Sequence, residues 1–173
     1  TFSDYAEIGV HAAILDLMGK RANLPVAALM GGAYRHRISV DYWMRRMTPE
    51  DSAIVCRSAQ SLGYRGVKCK CALEDDNVER SEAIAQACGG DFKITFDPNQ
   101  RFYRFAELID MLKRLEKSGN IGCIEDPFAK QDTESYRLLR GQGLFPVAMH
   151  MRAGDALFRA IKDECCDYFN LGD

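Results

Sequence analysis

The sequence predicts an α/β fold of the (β/α)8, TIM-like barrel type, and three observations carry that expectation. Segments rich in β-formers recur roughly every 20–30 residues, each followed by a helical stretch, which is the repeat of a parallel α/β sheet. The first strand is not followed by the glycine-rich phosphate loop that an open doubly wound sheet would call for. Polar residues gather at strand ends, where a barrel keeps its chemistry: Lys68 and Lys70, Asp97 and Asn99, Glu125, His150, Asn170 and Asp173.

The elements follow in order. "SDYAEIGVHAAILDLMGK" reads as a helix with Ser3 as N-cap and Gly19 near its end, followed by the connector "NLPVAALMGGAYRHR". "RISVDYWM" (37–44) alternates and forms the first strand. Residues 48–63 then read as a helix: Thr48 caps it, Pro49 suits the first turn, Asp51 completes a capping box and Gly63 stops it. "GVKCKC" (66–71) is the second strand, with a helix from Asn77 to Cys88 behind it. "FKITFDPN" (92–99) is the third, and in the helix at 105–119 Leu108, Met111, Leu112 and Leu115 share one face. "IGCIEDP" (121–127), "PVAMHM" (146–151) and "CDYFNLGD" (166–173) make strands four to six, with helices near 132–141 and 154–164. These are six βα units where a closed barrel needs eight, so the chain is expected to be part of a larger protein.

Composition excludes several function classes. The chain has 173 residues, is 47% hydrophobic and carries a net charge of −2, which suits a water-soluble domain with a sizeable core. No long basic run points to nucleic acid, no apolar stretch is long enough to span a bilayer, and the first residues lack a signal-peptide pattern. Seven cysteines without paired Cys-x-x-Cys repeats read as reduced thiols in a cytoplasmic protein.

Side chains on a strand alternate between faces, so "GVKCKC" sends Lys68 and Lys70 one way and Cys69 and Cys71 the other. Two lysines turned into a barrel need carboxylates or a metal site to compensate them. Crowded together, at least one should have a lowered pKa and could act as a base. A solvated edge with the lysines outside is the competing reading. Asp97 and Glu125 end neighbouring strands, where two carboxylates can share a hard cation such as Mg2+; helix caps or surface acids are the alternative. A divalent cation with a lysine base suits removal of a proton α to a carboxylate, with the metal stabilising the enediolate. His150 is at the active end of its strand and is either functional or a hydrogen-bonded core residue. His11, His36 and all seven cysteines read as surface or packing residues.

These residues resemble the mandelate racemase/muconate lactonizing branch of the enolase superfamily. The likeness runs from "AAILDLMGKRANLPVAALMGG" through the Lys-x-Lys of "GVKCKC", the Asp-x-Asn of "FDPNQ" and the Glu of "IEDP". The resemblance implies that residues 1–36 are the end of an α+β cap domain and its connector, and residues 37–173 a partial catalytic barrel. It further implies Asp97 and Glu125 as Mg2+ ligands, Asn99 beside metal and substrate, Lys70 as the base and Lys68 beside the substrate carboxylate. Besides covering neither strands seven and eight nor most of the cap, the chain departs from the family pattern at two strand ends. His150-Met151 stands where Gly-Glu is expected, leaving His150, Asp155 or water to complete the metal shell. Asn170 takes the place of a second acid–base residue.

The expectation is a Mg2+-dependent lyase or isomerase acting on a small carboxylate substrate, through dehydration of a hydroxy acid or acid sugar. A racemase or cycloisomerase of the same superfamily, or a non-catalytic relative with a degraded metal site, are the alternatives. A homo-oligomer with no nucleic-acid or membrane partner is expected.

Overall fold

A computed structural model describes residues 2–152 and 154–171. The expected Ser3 cap, the Asp155 side chain and Asp173 lie outside what it describes. The chain divides into two compact units, residues 1–39 and 40–172. The first holds a long helix, α1 (Phe2–Ala22), and a single turn, α2 (Val26–Leu29), within the expected connector. Among the described residues no helix is long and apolar enough to cross a membrane.

The second unit alternates strand and helix: β1 (Tyr42–Met44), α3 (Pro49–Ser61), β2 (Gly66–Lys70), α4 (Asn77–Cys88), β3 (Lys93–Asp97), α5 (Phe105–Leu115), β4 (Ile121–Glu125), α6 (Thr133–Gly141), β5 (Val147–Met151), α7 (Asp155–Lys162) and β6 (Tyr168–Leu171). The six strands lie in sequence order and every neighbouring pair is parallel. This is the wall of a (β/α) barrel, as expected.

Local chemistry accounts for the boundaries. The Thr48 side chain accepts from the Asp51 amide at 3.2 Å and starts α3. In α5 the predicted stripe is buried in full: Leu108, Met111, Leu112 and Leu115 all face the core, each burial worth about 1.5–3 kcal/mol. A 3-10 turn at Glu116–Ser118 follows, and Gly119 closes it at φ 69°. β1 is shorter than its alternating pattern suggests, and the cause is its partner. Tyr42 pairs with Val67 one step into β2, so residues below Asp41 have no strand to pair with.

The register sorts the sheet into two faces. Val67, Cys69, Ile94, Phe96, Ile124, Val147 and Met149 are buried beneath the helices and form the core. Trp43, Lys68, Lys70, Thr95, Asp97, Cys123, Glu125, Ala148, His150 and Asn170 occupy the opposite, inner face, in rows across the strands. A register shift between Ile94 and Thr95 keeps those rows aligned from β3 to β4. Gly66 starts β2 because a Cβ there would stand 2.8 Å from both the Asp41 carboxylate and the Lys93 carbonyl.

Candidate active site

The strand ends bring the two lysines and the two carboxylates together. Lys68 Nζ lies 2.8 Å from Glu125 Oε1 and 3.0 Å from Asp97 Oδ2, bridging two strands. Lys70 Nζ lies 2.5 Å from Asp97 Oδ2 and donates to Asn99 Oδ1 at 2.7 Å. The Asn99 amide donates in turn to Asp97 Oδ1 at 3.1 Å. Asn99 and Gln100 both take positive φ, 47° and 67°, so the chain turns sharply after Pro98. That turn is pinned to β4 by the Gln100 amide, which donates to the Asp126 carbonyl at 2.8 Å.

At Lys68 the electrostatics run against a lowered pKa. Burial pulls the Lys68 ammonium down, but its hydrogen bonds to Glu125 and Asp97, and their charges, outweigh it and leave the pKa above the ordinary value. Crowding between the lysines does not lower it, because carboxylates from two other strands surround it. For Asp97, burial alone would raise the pKa. The hydrogen bonds from Lys70 and Lys68 and their charges reverse this and lower it. The cysteines behind β2 are fully buried, and burial pushes the Cys69 thiol up to about 12, which marks it as packing.

The far strands are built differently. His150 is half-buried on the inner face, and its backbone makes the contacts: its amide donates to Asp126 Oδ1 at 2.9 Å, and Lys130 Nζ donates to its carbonyl. Lys130 also lies 3.4 Å from Asp126 Oδ2. Asn170 Nδ2 donates to Glu125 Oε1 at 3.2 Å. Among the described residues no three His, Cys, Asp or Glu side chains converge as a metal cage.

The residues present nevertheless fit a Mg2+ ion. Asp97 and Glu125 supply hard oxygen donors, and one compact cation, the Lys68 ammonium, already touches both. Mg2+ is commonly held by one or two carboxylates, with water and substrate oxygens in the remaining positions.

Sequence reasoning missed Asp126, Lys130 and Arg80. Asp126 is buried at φ 46° and braces β5, and its place after Glu125 in "IEDP" was the available signal. Arg80 is buried behind β2 and donates to the Lys70 carbonyl at 3.3 Å; an arginine in a helix carries no signal of that kind.

The sequence profile of the family described as "Enolase C-terminal domain-like" matches residues 50–172. The chain belongs to the enolase superfamily, in its mandelate racemase/muconate lactonizing branch. This enolase-superfamily chain is 28% identical to N-succinyl-L-Arg/Lys racemase of Bacillus cereus, over 96% of its own length and 46% of the relative's. The solved structure of that racemase superposes with a TM-score of 0.80, covering 91% of this chain and 43% of the racemase. Arabinonate dehydratase of Saccharolobus solfataricus is 33% identical over 69% of this chain and 33% of the relative. A dipeptide epimerase from Cytophaga hutchinsonii, solved with Mg and the dipeptide D-Ala-L-Val, is 26% identical with a TM-score of 0.78, covering 91% of this chain and 43% of that one. The superfamily chain therefore spans less than half the length of each. Its relatives are racemases, epimerases, dehydratases and cycloisomerases, and its parallel sheet is part of a TIM-type barrel.

Proposed function

We propose that this protein removes the proton α to the carboxylate of a small acid, with Lys70 as the base, and that the reaction continues as dehydration of a hydroxy acid or acid sugar. One observation carries the reading. Two lysines and two carboxylates from three consecutive strands meet within hydrogen-bonding distance at the barrel mouth.

Asp97 and Glu125 would hold Mg2+. When bound, the ion would acidify the α-proton and offset the negative charge that builds on the substrate carboxylate. The protein's own side chains do the rest. Lys68 Nζ is placed to donate to a substrate carboxylate oxygen. Lys70 Nζ, as the neutral amine, takes the proton from Cα and becomes an ammonium, and the C–H electron pair passes into the enediolate. Collapse of the enediolate breaks the Cβ–O bond, and the β-hydroxyl leaves as water with the proton that Lys70 took. Asn99 steers Lys70 through its 2.7 Å hydrogen bond. A base on one side suffices for elimination, and β6 offers Asn170 instead of an opposing acid–base group. Residues 1–36 are assigned to the end of a cap domain and connector, supported by the unit division after Ser39.

Racemisation or cycloisomerisation is the second reading, favoured by the similarity to N-succinyl-L-Arg/Lys racemase. The first test is solvent deuterium exchange at the α-carbon of candidate acids in the whole protein. Lys70→Ala is expected to slow exchange about 10²–10⁴-fold. Unchanged exchange in that variant removes Lys70 as the base. Retention of the α-deuterium without loss of water would favour the second reading.

A further inference from the structure

Two adjacent arginines follow β1, and only one of them has a structural task. Arg46 turns toward the loop after β2, where its guanidinium lies 2.5 Å from Asp75 Oδ1 and 3.2 Å from Glu74 Oε1. Arg45 is exposed and has no hydrogen bond or ion pair among the described residues. Strand alternation explains the split. Met44, the last residue of β1, is buried on the helix side, and the alternation carried past it puts Arg46 in phase with Met44 and Arg45 in phase with Trp43 of the inner face. The ladder ends at Met44 with Cys69, and its register continued by one residue would bring Arg45 beside Lys70.

The mouth therefore reads across the sheet in a fixed order. Asp97 and Glu125 stand on β3 and β4, Lys70 on β2, and Arg45 at the end of β1. Lys68 and Lys70 are already engaged by the two carboxylates, which leaves Arg45 as the cation with no counter-charge at that level. A substrate whose α-carboxylate lies near Asp97, Glu125 and Lys68, and whose α-carbon lies at Lys70, extends its far end toward β1. The span from β3 to β1 is about 10 Å, two inter-strand spacings, and a long arginine side chain shortens it further. A planar guanidinium matches a carboxylate in two-point fashion.

We infer that Arg45 is a specificity-determining residue that binds a second carboxylate at the far end of the substrate, so that the preferred substrate is a dianionic acid. The inference rests on the proton-abstraction reading for the orientation of the substrate.

Calorimetry on the whole protein in the Lys70→Ala background, with Mg2+ present, tests it without turnover. Matched probes are galactarate against galactonate and glucarate against gluconate. The expected result is tighter binding of the diacids. Arg45→Met should weaken a diacid about ten-fold or more while its monoacid partner changes less than about two-fold, and Arg45→Lys should recover part of the loss. Arg46→Met, which removes a guanidinium tied to Asp75, should not discriminate between diacid and monoacid. Equal losses for both acids in Arg45→Met, or no binding by any diacid, overturns the inference. Deuterium exchange on a monoacid by the wild type would in that case leave the proton-abstraction reading standing.

Discussion

The ends of β2, β3 and β4 and those of β5 and β6 belong to one sheet, yet they satisfy their polar groups in different ways. The first three strands do it with charge. Asp97 and Glu125 have side chains only 3% and 8% exposed, and two lysine ammoniums offset the cost of taking them out of water. The last two strands present backbone and neutral groups, the His150 amide and carbonyl and the Asn170 carboxamide, and the charges that meet His150, Asp126 and Lys130, come from the segment after β4. Removing one member of a buried ion pair strands the others, whereas trimming a side chain whose backbone makes the contacts strands nothing. The strand-borne ionised side chains are therefore concentrated on β2–β4.

The largest effect should come from breaking the charged half. Asp97→Ala removes the carboxylate shared by Lys68 and Lys70 and leaves two partly buried ammoniums with less counter-charge. It should cost about 3–5 kcal/mol in urea unfolding and abolish the heat of Mg2+ binding. A loss under about 1 kcal/mol would show that the pairs are held in water and contribute little. The next effect in size falls on the back of the same strand. Cys69 is fully buried, and Cys69→Ser puts a hydroxyl where the thiol packs, at about 1–3 kcal/mol, with Mg2+ binding unchanged. A Cys69→Ser protein that folds normally but loses Mg2+ would contradict the separation of faces.

A pH series sharpens the comparison, because the two halves involve carboxyl groups whose pKa values are shifted in opposite directions. Asp97 is lowered, so its contribution to stability is present above the ordinary carboxylate pKa of 3.8 and is lost as pH falls through its folded value. Asp126, which braces β5, is raised by burial despite the His150 amide and Lys130, so stability falls as pH rises from 3.8 through its folded value. Lys68 is raised, so its contribution is present below 10.5 and disappears as pH rises beyond its folded value. Unfolding midpoints between pH 3 and 6 should therefore steepen in Asp126→Asn, which removes the opposing slope, and flatten in Asp97→Asn. The same slope in both variants would erase the distinction.

Much of this was legible in the sequence because strand alternation is a local property. "GVKCKC" separates its lysines from its cysteines whatever surrounds it, and the structure puts Cys69 and Cys71 in the core. The spacing of Leu108, Met111, Leu112 and Leu115 marks the buried face of α5 for the same reason. Interactions that depend on distant partners were not legible. Crowding by the neighbouring lysine does not decide the sign at Lys68, because Glu125, 57 residues away, is among the groups that set it. Asp126 falls within "IGCIEDP", the expected fourth strand, and only the hydrogen bond from the His150 amide shows that it holds β5.

The smallest predicted effect decides whether the two halves are as distinct as their geometry suggests. His150 stands where a third metal ligand was expected, but no three-ligand group forms among the described residues. Imidazole is also a poor match for Mg2+, which prefers carboxylate and water oxygens. The contacts at position 150 come from its amide and carbonyl, and alanine keeps both. His150→Ala should therefore cost no more than about 0.5 kcal/mol, the range of a substitution that touches no buried network. It should also shift the Mg2+ dissociation constant less than about two-fold. Glu125→Gln, by contrast, should weaken Mg2+ at least about ten-fold, because it removes one of two charged donors. A ten-fold loss in His150→Ala would make β5 part of the metal site and bring the division between the two halves down with it. Equal Mg2+ affinity in the wild type, His150→Ala and Glu125→Gln would instead point to a barrel that no longer uses its strand-end carboxylates for a metal.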